Sequence, residues 1–115
     1  MAEVLQCVSP RDGSVYVERP LAGPAMVEAA VATARLARSG WAAMPLHERL
    51  DRLSAGVDAF VAQGEAIAPE ITGQMGRPVA HSPGEVRGYE ERARHMLAIA
   101  PEALADVAVA PLAGF

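Results

Sequence analysis

The stretch from Glu70 to Glu85 limits the possible folds of this chain more than any other. It reads Glu70-Ile71-Thr72-Gly73-Gln74-Met75-Gly76-Arg77-Pro78, then Val79-Ala80-His81-Ser82-Pro83-Gly84-Glu85. One helix has to stop here and another has to start. Gly76 suits the residue just past a helix end, where φ is usually positive and a Cβ is penalised. Pro78 bars continuation and drives Arg77 out of the α region. Ser82-Pro83-Gly84-Glu85 reads as a capping box with Pro in the first helical position. In such a box the Ser82 hydroxyl accepts from the amide three residues on, and Glu85 reaches back to the Ser82 amide. This stop and restart fixes how the second helix leaves the first, and it contains no chemistry.

On either side of that stretch the pattern predicts a mainly α chain led by a β-hairpin. Leu5-Gln6-Cys7-Val8 and Val15-Tyr16-Val17-Glu18-Arg19 are β-prone runs around the turn Ser9-Pro10-Arg11-Asp12-Gly13-Ser14, which predicts a hairpin over 4–19. Cys7 reads as a small buried or half-buried thiol of the first strand. After the Pro20–Pro24 linker, Val27, Ala30, Val31, Ala34 and Trp41 recur at helical spacing over 24–43, with Ser39-Gly40 expected to fray or bend the end. Trp41 reads as a core anchor. Over 45–62, Leu46, Leu50, Leu53, Val57, Phe60 and Val61 form one stripe, with Glu48, Arg49, Arg52 and Asp58 assigned to the opposite side. A shorter helix over 65–76 carries Ile67, Ile71 and Met75, and tolerates Pro69 only if it begins near Glu65 or Ala66, with a kink otherwise. The last helix, 83–100, faces Val86, Tyr89, Ala93, Met96 and Leu97 one way and carries the i,i+4 pairs Arg87–Glu91 and Glu90–Arg94. Pro101 is expected to end or kink it, with Val107–Leu112 extended beyond.

Composition removes several classes of function. Of 115 residues, 51% are hydrophobic and 4% aromatic, an alanine-rich balance that favours closely packed helices. The net charge is −4 and no basic stripe is present, which argues against a nucleic-acid partner. No apolar run is long enough to span a membrane, and no signal peptide is legible. The single Cys7 makes no internal disulfide, so a cytoplasmic location is expected. His47, His81 and His95 are too scattered for a metal-ligand pattern. Glu90 and Glu91 are helix neighbours that point about 100° apart. There is no phosphate-cradling Gly-rich turn after a strand and no nucleophile elbow. Gly73 and Gly76 are assigned to helix termination. The residues offer no catalytic, cofactor-binding or metal-binding candidate.

The order of features nonetheless resembles the N-terminal segment of the NAD(P)-dependent aldehyde dehydrogenase superfamily. Ser9-Pro10-Arg11-Asp12-Gly13 is similar to the Asn-Pro-Ala-Thr-Gly turn that opens those enzymes. Trp41, Pro45 and Arg49 resemble their Trp…Pro…Arg block, and Glu70–Pro78 resembles their Glu-Thr-Gly-Lys-Pro region. Glu85-Val86 matches the acid–aliphatic pair that starts the following helix. Ala98-Ile99-Ala100-Pro101-Glu102-Ala103-Leu104 takes the place of their Tyr-Ala-Gly-Trp-Ala segment.

The resemblance implies a fragment of an α/β aldehyde dehydrogenase fold, with the dinucleotide-binding core and the catalytic domain absent from this sequence. In that family a cysteine nucleophile, a general-base glutamate and an oxyanion-hole asparagine oxidise an aldehyde with NAD or NADP, and all of them follow the matched stretch. Cys7, inside the first strand, is not carried over as the nucleophile. The helix from Pro83 lies near the family's aldehyde entry tunnel and matches no catalytic motif. The expectation is therefore a chain that is catalytically incompetent alone and binds no NAD(P). Its expected partner is the remainder of such an enzyme, or a second copy met through exposed apolar surface. An independent helical interaction module or a gene remnant stays open at this point.

Overall fold

The computed structural model describes residues 3–110 and Gly114. Strands β1 (Val4–Val8) and β2 (Val15–Pro20) pair antiparallel, with Leu5 opposite Arg19 and Cys7 opposite Val17, and the register breaks between Cys7 and Val8. The turn closes because Gly13, at φ 75°, takes the left-handed conformation that a Cβ penalises. Its amide donates to the Ser9 carbonyl at 2.9 Å, and the Ser9 amide donates to the Ser14 carbonyl at 2.8 Å. The Asp12 carboxylate accepts from the Ser14 amide at 3.0 Å and from its hydroxyl at 2.6 Å.

Four helices follow: α1 (Pro24–Ala43), α2 (Leu46–Val61), α3 (Gly64–Met75) and α4 (Pro83–Ala103). The hairpin and the four helices match the architecture read from the sequence. Helix α1 runs unbroken through Ser39-Gly40, because both residues still supply the amides that the helix needs; a helical Gly costs only about 1 kcal/mol relative to Ala. Pro45 precedes α2 as its cap residue instead of opening it. Pro69 lies inside α3, within two turns of its start at Gly64, where one missing amide interrupts little of the ladder. Pro101 does not end α4, which continues to Ala103. Residues 106–110 have no regular structure, and Val107 and Val109 are exposed. Pro111 and Leu112 of the expected extended tail lie outside the described residues.

The packing is confined to one end of the molecule. Helix α4 lies against α2 and α3, and β2 touches α3. Val57, Ala68 and Val86 form the buried apolar core among the described residues. Each buried valine contributes about 1.5–3 kcal/mol. Gly64 permits this closeness, since a Cβ there would stand 3.3 Å from Val86 Cγ1. Phe60 and Tyr89 pack with ring centroids 4.3 Å apart at 52°. Across the same interface Arg94 bonds Asp58 at 2.8 Å, and within α4 it bonds Glu90 at 2.9 Å; the expected Arg87–Glu91 pair does not form.

No residue of α1 is buried. Trp41, expected in the core, is 41% exposed, because α1 lies along no other helix and only its end meets the α2–α4 groove. The radius of gyration is 20.7 Å, against about 13 Å for a compact domain of this length.

Candidate functional site

Side chains from several elements gather in more than one place. The first is the junction of α3, α4 and the hairpin. Gly76 ends α3 at φ 74°, ψ 14°, and its amide donates to the Thr72 carbonyl at 3.0 Å. This is the left-handed stop that the sequence predicts. Gly73, read as part of the same stop, has a different role. A Cβ at Gly73 would run into the Tyr16 ring, so its absence makes room for β2 to rest on α3. Pro10 rests on Gly76 in the same way, and a Cβ there would sit 2.7 Å from Pro10 Cγ. Cys7 is half-buried as expected, and its Sγ donates to the Gln74 carbonyl at 3.6 Å.

The capping box does not form. The turn after Pro78 is already helical: the His81 and Ser82 amides both donate to the Pro78 carbonyl, at 2.8 and 3.2 Å. Ser82 therefore has right-handed helical φ and ψ of −58° and −36° and makes no side-chain cap. Its own amide is occupied, so Glu85 has no donor to reach back to. The Glu85 carboxylate pairs instead with Arg77 Nε at 3.0 Å. Ser82 is fully buried, and its hydroxyl shares a 2.7 Å hydrogen bond with the Thr72 hydroxyl. The residue that pins α4 to α3 is thus the one that the local pattern assigns to a helix end.

Around this junction lies an open cavity of 840 Å³, lined by Arg11, Asp12, Tyr16, Gly73, Arg77 and Val79 among others. The Ser14 hydroxyl and amide hold the Asp12 carboxyl below its ordinary pKa, and the neighbouring Arg11 adds to the effect. A depressed carboxyl stabilises the turn above its unfolded-state pKa, and that contribution is lost as pH falls through the lowered folded value. In an NMR titration the Ser14 amide resonance is expected to move with the Asp12 carboxyl, at a pH below the ordinary aspartate value. If the two move at the ordinary value, the turn bonds are not holding Asp12.

The second surface is an apolar groove of 560 Å³ between α2 and α4, open towards the end of α1. Trp41, Leu50, Phe60, Tyr89 and Met96 line it, and so do Arg49 and Arg52, which the sequence pattern places on the opposite side of α2. The stripe through Leu46, Leu50, Leu53 and Val57 is wide enough that positions 49 and 52 fall on its edge once α4 lies alongside. Arg49 Nε is buried without a hydrogen-bond partner.

Neither surface assembles a reaction centre from the described residues. Cys7 faces a backbone carbonyl, and Ser82 faces another hydroxyl. The structure does not bring His47, His81 and His95 together, and no cluster of three metal-ligating side chains occurs among the described residues. None of the described helices is long and apolar enough to cross a membrane. The signals that sequence reading missed, Gly73 under Tyr16 and Arg49 in the groove, are contacts between distant segments and leave no local pattern. Compared with known proteins, residues 1–112 match the family model described as "Aldehyde dehydrogenase family". No curated protein and no solved structure matches the chain.

Proposed function

Because the chain belongs to the aldehyde dehydrogenase family, we propose that it is the N-terminal portion of an oxidoreductase that converts an aldehyde to the acid with NAD or NADP. In this reading the portion is a packing platform and is catalytically incompetent by itself. The observation that carries it is the uncovered apolar surface. Helix α1 presents Met26, Val27, Val31 and Leu36 with no buried residue, and the hairpin exposes Val4, Leu5, Val8 and Val15. An isolated two-stranded hairpin is marginal in water, and contiguous apolar surface marks an interface. The remainder of the enzyme is the partner that this surface fits, and a second copy of the chain is the substitute when the remainder is missing. The unpaired Cys7 is consistent with a cytoplasmic setting.

The family uses NAD or NADP in general, but the described residues do not fit a dinucleotide. A pyrophosphate seeks a helix N-terminus with free amides. Helices α2, α3 and α4 carry Glu48, Glu65 and Glu85 in their first turns, where each carboxylate would repel it. Helix α1 opens with Pro24, which removes a donor, and it follows an antiparallel hairpin instead of a parallel strand. Among the described residues no nucleophile–base pair faces a cavity. Titration of NAD and NADP into the purified chain by calorimetry is expected to give no saturable heat in the micromolar range, and aldehyde addition no absorbance from reduced nucleotide. Saturable micromolar binding would overturn the platform reading.

A further inference from the structure

We infer that the groove between α2 and α4 docks a helical polypeptide segment that brings a carboxylate to Arg49. The charge around the groove is the first support. The chain carries a net charge of −4, yet the groove is lined by Arg49 and Arg52 with no Asp or Glu. The other arginine of the α2–α4 interface, Arg94, is satisfied by Asp58 and Glu90, whose hydrogen bonds hold its pKa above the ordinary value. Arg49 makes no such bond among the described residues: its Nε is closed off and unpartnered, and the terminal guanidinium nitrogens are the donors that a partner's acid can reach. Buried polar groups are hydrogen-bonded as a rule, and guanidinium groups pair best with carboxylates. The partner's acid is what this site lacks.

The shape of the groove selects the class of partner. Lining residues run along α2 from Leu46 to Phe60, a length of roughly 20 Å at 1.5 Å per residue. The groove is open along this length, with Trp41, Phe60 and Tyr89 supplying aromatic walls. That is the helix-in-groove arrangement, in which an amphipathic helix lays its apolar stripe between two others. The inference rests on the reading that this chain packs against further polypeptide. It fails separately from that reading, because the nucleotide titration does not report on the groove.

Trp41 lines the groove and is 41% exposed, so its fluorescence reports occupancy of the full chain. The probe is a synthetic amphipathic helix of about 15–18 residues, with a leucine stripe at helical spacing and one Glu at its edge. A second peptide has Gln in place of that Glu. The Glu peptide is expected to shift Trp41 emission to the blue and to bind at least about tenfold tighter than the Gln peptide. Arg49→Met should erase this preference while the Gln peptide binds as before. Without peptide, Arg49→Met should leave the melting temperature unchanged or raise it, since a buried unpaired group is removed and no bond is lost. Equal binding of the two peptides overturns the inference, as does a lowered melting temperature for Arg49→Met. A medium-chain fatty acid that competes out the Glu peptide would make the groove a small-molecule site and overturn it. So would sedimentation showing a dimer whose formation alone buries Trp41.

Discussion

Replacing Gly76 with alanine is expected to lower stability by about 2–4 kcal/mol, adding a left-handed backbone penalty to an overpacking penalty. Both arise from one methyl group. At φ 74° the backbone is in the region that disfavours a Cβ, and that Cβ would stand 2.7 Å from Pro10 Cγ. The proline ring cannot swing aside as a long side chain would. The two penalties separate experimentally. Pro10→Gly in the Gly76→Ala background should restore the overpacking part and leave the conformational part. Gly76→Asn, which tolerates a positive φ better, should still suffer from the Pro10 contact. Urea unfolding of the single and double variants reads both terms. If Pro10→Gly restores nothing in the Gly76→Ala background, the hairpin does not rest on this turn.

Ser82 gives the second large effect, and its sign distinguishes two roles. At a helix cap, Ser82→Asp would be close to neutral, since Asp and Ser cap about equally well. Ser82 is fully buried against the Thr72 hydroxyl, so a carboxylate there is expected to cost several kcal/mol. Burial would raise the pKa of the new carboxyl, and the loss should therefore shrink as pH falls towards that raised value. Ser82→Ala should cost about 1–2 kcal/mol by leaving a buried hydroxyl short of a partner, and Thr72→Val should then add little. Thermal melts of the four proteins test this. A stable Ser82→Asp protein would mean that Ser82 faces solvent at a helix end. Glu85→Ala should cost under about 1 kcal/mol, because the Arg77–Glu85 pair is part-exposed.

These two positions mark the limit of what the sequence makes legible. The hairpin turn, the left-handed Gly76 and the helix start at Pro83 are written in neighbouring residues, and each appears where local rules place it. Gly76 is readable because a helix stop is a local event. Its contact with Pro10 is not, because Pro10 belongs to another element. Ser82 carries a cap signature, Ser-Pro-Gly-Glu, that a preceding helical turn overrides: once the Pro78 carbonyl takes the Ser82 amide, the box has lost its donor. Arg49 sits beside Glu48 in the sequence and reads as solvated, and only the approach of α4 turns its position into a groove wall. Trp41 reads as core because large aromatics usually are, and α1 lies along no other helix to make that so.

The contact between Cys7 and Gln74 spans 67 residues of chain, against 36 for the Asp58–Arg94 bond that joins α2 to α4. Closing a loop of that length costs on the order of 4 kcal/mol in chain entropy. The hairpin is therefore the last part to settle and the first to lift. During synthesis the order is still less favourable. The hairpin is made first, and its platform on α3 follows only after those 67 residues, which takes several seconds at roughly 5–20 residues per second. Through that interval two short strands have unpaired edges and uncovered valines. The vulnerable moment for this chain falls at its beginning, before α3 exists to receive the hairpin, and a chaperone or a mispaired strand would meet it there.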